Sequence, residues 1–100
     1  MENNMSYADE EKIKNTAHLK GLLEQLPPFC YTYFRGIAQT TSVKTRMGYA
    51  YDLKIFFGFL CERHKHFKGI KFEEIRPEDL DYVKSTDLEE FLDYVSITVP

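Results

Sequence analysis

Residues 42–60 read SVKTRMGYAYDLKIFFGFL. Lysine and arginine open the run, aromatic and aliphatic side chains fill its second half, and a single carboxylate, Asp52, stands between them. Tyr49, Leu53, Phe56, Phe57 and Leu60 fall at i, i+4, i+7, i+8 and i+11, three turns of one apolar stripe. That spacing predicts a long helix, capped by Thr41 or Ser42 and ending near His64. Lys44, Met47, Tyr51 and Lys54 fall on another side of the same helix, away from Leu53, Phe56 and Leu60. Gly48 and Gly58 lie inside it, each costing about 1 kcal/mol relative to alanine unless another backbone approaches closely. One side asks for burial; the other, basic towards its start, asks for solvent or a partner.

Helical spacing recurs on both sides of this segment. Leu19, Leu22, Leu23 and Leu26 form one face of a helix expected from about Tyr7 to Gln25, with Ser6 as its cap and Asp9, Glu10 and Glu11 near its positive end. Pro27 and Pro28 stop that helix and suit the start of a short second one. Its buried stripe is Cys30, Tyr33, Phe34 and Ile37, and it ends near Ala38 or Gln39. Beyond the basic connector HKHFKGIKFEEIR, Pro77 starts a short fourth helix through Leu80 and Val83. Thr86 and Glu89 have the spacing of a capping box for a last helix whose inward face is Leu88, Phe91, Leu92 and Val95. No Asn-Gly or Asp-Gly dipeptide and no sustained apolar–polar alternation marks a strand. The expected fold is all-α, a compact bundle of four to five helices around one core. The closing SITVP reads as a chain cut before its next element.

One hundred residues, 43% of them hydrophobic, supply material for one domain. No run approaches the length of a membrane span, and the acidic start is unlike a signal peptide, so a cytoplasmic protein is expected. Cys30 and Cys61 lack any CxxC pattern and are read as reduced, packed thiols. The net charge of −3 is unevenly placed. Residues 1–29 carry −2, residues 30–71 carry +6 and residues 72–100 carry −7.

That basic middle is where function is sought. A helix N-terminus presents free amides and partial positive charge to phosphate. Ser42, Thr45 and Tyr51 are able to bond phosphate or sugar, and Arg46 has the reach for a base edge in a major groove. A solvated basic face that binds nothing is the competing reading. His64 and His66 lack the further convergent ligands a metal needs, so no metal and no cofactor are expected. Adjacent carboxylates at 73–74 and 89–90 diverge on a helix and are read as solvated faces. Neither a phosphate-binding glycine loop nor a nucleophile motif is present, so catalysis and a small-molecule substrate are not expected.

The pattern Thr45-x3-Tyr49-x2-Asp52-Leu53-x2-Phe56-x3-Leu60 resembles the second helix of the core-binding, SAM-like domain of tyrosine recombinases and phage integrases. LPPFCYTYFRGIAQTTS resembles that domain's first helix and loop, and IRPEDLDYVKSTDLEEFLDYV its later Asp-x-x-x-Phe-Leu helix. The leading leucine-rich helix is similar to that of Xer-like recombinases with a longer N-terminus. The resemblance, spanning about residues 19–96, implies an N-terminal helical extension (1–26) and a DNA-clamping domain (27–100) cut before its last helices. It implies double-stranded DNA as partner, with other recombinase protomers possible, and no membrane. The resemblance implies that Thr41, Ser42, Lys44, Thr45, Arg46 and Lys54 face the DNA; Lys65, Lys68 and Lys71 of the connector extend the basic patch towards the backbone beside the groove, an ordinary basic loop being the alternative. The family's catalytic domain has no counterpart, so the chain alone is expected to be non-catalytic, its parent a site-specific recombinase. A helical protein-interaction module, SAM- or death-like, without nucleic-acid binding, is the alternative.

Overall fold

The computed structural model describes residues 6–98, with side chains to Ile97, so the first five residues and the end of SITVP lie outside the described residues. The described chain is all-helical, without strands. Helix α1 spans Tyr7–Leu23, α2 Cys30–Gly36, α3 Val43–Arg63 and α4 Ser85–Thr98. A 3-10 turn at Phe72–Glu74 and a 3-10 helix at Pro77–Tyr82 join α3 to α4.

The sequence explains most of these boundaries. Ser6 Oγ accepts from the Asp9 amide at 3.2 Å and starts α1. The carbonyls of Pro27 and Pro28 accept from the amides of Cys30 and Tyr31, which launches α2 directly from the prolines. Helix α2 stops at Gly36, two residues before the expected end. The Thr40 and Thr41 hydroxyls both donate to the Ile37 carbonyl, and Arg46 takes the Ala38 carbonyl, so side chains satisfy acceptors that another helical turn would have used. Ser42 then caps α3, its Oγ accepting from the Thr45 amide at 3.1 Å. After α3, Gly69 adopts φ 83°, a conformation that favours glycine, and its amide returns to the Cys61 carbonyl.

A single core joins these elements. Leu19, Leu22 and Leu26 meet Cys30 and Phe34 from α2 and Ala50, Phe57 and Leu60 from α3, with Phe67 and Ile75 closing the connector side. Rings meet edge to face, as Phe29 does with Phe57. Phe91 of α4 packs on both Phe56 and Phe59. The Arg63 guanidinium lies 5.0 Å from the centre of the Tyr94 ring.

Several positions depart from the sequence reading. Tyr49, expected inside, is 41% exposed, whereas Ala50 beside it is buried. The buried residues of α3 are Ala50, Phe57, Phe59 and Leu60, so Phe57 and Leu60 of the expected stripe are inside, Leu53 and Phe56 are half-buried and Tyr49 is replaced by Ala50. Tyr33 also stays at the surface: α2 turns Cys30 and Phe34 inward. On α4, Phe91 and Tyr94 pack inward while Leu88 and Leu92 stand exposed. The expected Thr86–Glu89 capping box is displaced as well. Helix α4 starts at Ser85, and Asp87 Oδ2 accepts from the Lys84 amide at 2.8 Å.

This last contact belongs to a series. Glu74 accepts from the Lys71 amide, Asp79 from the Arg76 amide and Asp87 from the Lys84 amide. Each is a carboxylate three residues after a basic residue, and each opens a helical turn. Three of the nine acidic residues of the final third therefore serve as caps.

Candidate nucleic-acid interface

Three side-chain pairs fix how α1 lies on α3. Lys44 meets Glu11 at 3.0 Å, the Tyr51 hydroxyl meets His18 Nε2 at 3.0 Å, and Lys54 Nζ donates to Gln25 Oε1 at 2.6 Å. Positions rise together in both segments, so α1 and α3 run parallel and α2 is the short return between them. Glu11 and His18, seven residues apart, share one face of α1, and Gln25 follows seven residues later in the turn beyond its end. The face of α3 with Lys44, Tyr51 and Lys54, expected to meet DNA, thus lies along α1.

Each expected DNA-facing residue now has a position. Lys44 is exposed, its side chain 72% accessible, and the hydrogen bond and charge of Glu11 hold its ammonium pKa above the ordinary value. Ser42 and Thr45 bond each other, hydroxyl to hydroxyl at 2.9 Å, while the Thr41 hydroxyl donates to the Ile37 carbonyl at 2.7 Å. These three hydroxyls build the turn. Arg46 is half-buried, and its Nη1 donates to the Ala38 carbonyl at 2.9 Å, to Thr41 Oγ1 at 3.0 Å and to the Thr41 carbonyl. It ties the α2–α3 loop to the first turns of α3. Lys54 is exposed beside Gln25. Lys65 and Lys68, on the connector, are exposed and form no ion pair with a described residue.

The histidines of the connector face the acidic elements. His64 Nδ1 accepts from the His66 amide at 3.1 Å, which leaves the ring proton on Nε2, aimed at the Tyr82 carbonyl and Asp87 Oδ2. His66 Nε2 meets Asp79 Oδ1 at 2.9 Å, and its ring stacks on Tyr82 with centroids 3.7 Å apart. Asp79 and Asp87 each hold a helical start and a histidine at once. Both carboxyl pKa values fall below the ordinary range, Asp79 chiefly through the Arg76 amide and Asp87 chiefly through the Lys84 amide. Among the described residues no group of three or more His, Cys, Asp or Glu converges as a metal site. No described helix is long and apolar enough to cross a membrane.

Comparison with known proteins adds no relative. Neither a protein-family model, nor a curated protein, nor a solved structure matches this chain.

The sequence had one signal for the α1 contact that a search for apolar stripes passes over. Glu11, His18 and Gln25 repeat at the heptad interval that suits a polar flank between adjacent helices. An apolar groove of about 440 Å³ lies along Tyr33, Tyr49, Asp52 and Phe56, with Leu80 at one side. Its tyrosines are the pair expected in the core.

Proposed function

We propose that this chain is a DNA-binding module of the tyrosine-recombinase core-binding type, which sets α3 against a major groove and neutralises phosphates with lysines. The observation that supports this reading is the division of α3. Its 21 residues turn Ala50, Phe57 and Leu60 inward while Lys44 and Lys54 remain accessible, and Lys65 and Lys68 continue the cationic surface past its end. A parent chain would supply strand cleavage and rejoining in the cytoplasm, leaving this part to position the site and contact other protomers. Arg46, with the hydroxyls of Thr41, Ser42 and Thr45, then acts by shaping the turn that presents Lys44.

Titration of a labelled duplex at several salt concentrations tests this. Each phosphate contact contributes about 0.9 to the slope of log affinity against log salt. Replacing Lys65 and Lys68 by alanine should weaken binding and lower that slope by roughly two contacts, with helical content intact. A duplex affinity indifferent to salt and to these lysines would remove the nucleic-acid role.

One observation favours a second reading. Leu88 and Leu92, with Leu92 66% exposed, and Ile97 lie uncovered on α4. A helical interaction module would use such side chains on a protein partner. Concentration-dependent self-association, insensitive to duplex, would be its signature.

A further inference from the structure

We infer that the N-terminal half of α1 is a displaceable cover over the cationic face of α3, so that DNA and α1 compete for the same side chains. This rests on the DNA-facing reading of α3 given above.

The grip of α1 changes along its length. Towards its C-terminal end, Leu19 and Leu22 are buried in the core, and Leu26 follows them. Towards its start, Tyr7 and Ile13 stand exposed, and the side-chain contact described with α3 is the Glu11–Lys44 ion pair. A gap of about 510 Å³ separates this half from the α3 N-terminus, bordered by Ala8, Glu11 and Asn15 on one side and Ser42, Val43 and Lys44 on the other. A helix seated over such a gap is anchored at one end and lightly held at the other. Fully solvated ion pairs and hydrogen bonds contribute little to stability because water competes for both partners. The leucines, by contrast, act as a hinge point that stays in place.

The chemistry of each contact is that of a stand-in for nucleic acid. Glu11 gives Lys44 a carboxylate where a phosphate would bring stronger charge. His18 occupies the Tyr51 hydroxyl, and Gln25 takes a Lys54 hydrogen bond that a phosphate oxygen would accept. Of the three, only Glu11 belongs to the half that lifts; His18, beside the buried Leu19, and Gln25, beside the buried Leu26, stay with the anchored end, so the side chain set free is that of Lys44. The observed affinity for DNA is then the intrinsic affinity reduced by the fraction of molecules with α1 lifted.

The test uses the full chain and a fluorescein-labelled duplex of mixed sequence. Glu11→Ala removes the contact that the N-terminal half makes with Lys44, and Glu24→Ala, at the exposed end of the same segment, changes the net charge equally without touching it. If wild type has α1 lifted in about a tenth of molecules, Glu11→Ala should bind up to about tenfold more tightly than Glu24→Ala. Hydrogen exchange supplies the second readout: adding duplex to wild type should accelerate exchange in residues 10–17 and leave residues 20–26 protected. Duplex binding by both variants, with equal affinity and with exchange in α1 unchanged by duplex, overturns the cover but leaves the DNA reading standing. Slower exchange in residues 10–17 on binding overturns it too, by making α1 part of the clamp. No duplex binding by either protein overturns both proposals.

Discussion

Replacing Arg46 separates a structural arginine from a phosphate-binding one. Its Nη1 faces three acceptors, the carbonyls of Ala38 and Thr41 and the Thr41 hydroxyl, but carries only two hydrogens, so two bonds at most are served at once. A hydrogen bond from a charged donor contributes about 1.5–3 kcal/mol. The exposed Ala38 recovers water when the guanidinium leaves, which reduces each bond to about 1 kcal/mol and the pair to about 2 kcal/mol. For a domain of this size, Arg46→Ala should lower Tm by roughly 10 °C. Arg46→Lys keeps the charge but loses the planar fork, and should recover only part of that loss. Thermal melts followed by circular dichroism give the result, with Lys44→Ala as reference, a solvated pair whose removal should leave Tm unchanged. An Arg46→Ala protein as stable as wild type, or full rescue by lysine, would refute the loop-tying role and return Arg46 to the set of free cations.

Three other outcomes follow from the packing and the caps. Phe67→Ala, at a fully buried ring, should cost about 3–5 kcal/mol in urea unfolding, enough to unfold a large part of the population at 37 °C. Gly58→Ala should stabilise by about 1 kcal/mol in the same assay, because a methyl group there meets nothing within 4 Å and no neighbouring backbone offsets the glycine. Asp79 and Asp87 have pKa values depressed by folding, so their contribution is present above the unfolded value near 3.8 and disappears as pH falls through the lower folded values. Melting temperatures taken across the acid range should therefore drop below about pH 4, and Asp79→Asn with Asp87→Asn should make that drop shallower.

The helices were legible because period and punctuation agree. Ser6 and Ser42 cap where the hydroxyl precedes an apolar repeat, and the proline pair divides α1 from α2 as the loss of an amide donor requires. Which residue of a stripe is buried was less legible. Tyr49 and Ala50 differ by one position, and the rotation of α3 that buries the smaller depends on where α1 and α2 come to rest, a property of tertiary packing. The carboxylates at 73–74 read as a solvated face, yet Glu74 bonds the Lys71 amide; its basic neighbour three residues earlier was the clue. At the interface, the sequence located the cations and gave no sign that Arg46 and the three hydroxyls would be consumed in building the turn. Nor did counting charge along the chain show that Glu11 lies against Lys44, because that pairing requires the parallel course of α1.

The carboxylates that close the turns at Lys71, Arg76 and Lys84 also limit how this molecule's charge is able to change. Erasing them to make the surface friendlier to a polyanion would unravel the joints that hold α4 in place. Any drift, natural or engineered, towards tighter attraction has to spare those joints and act on the acidic side chains that close no turn, such as Glu73, Glu89 and Glu90.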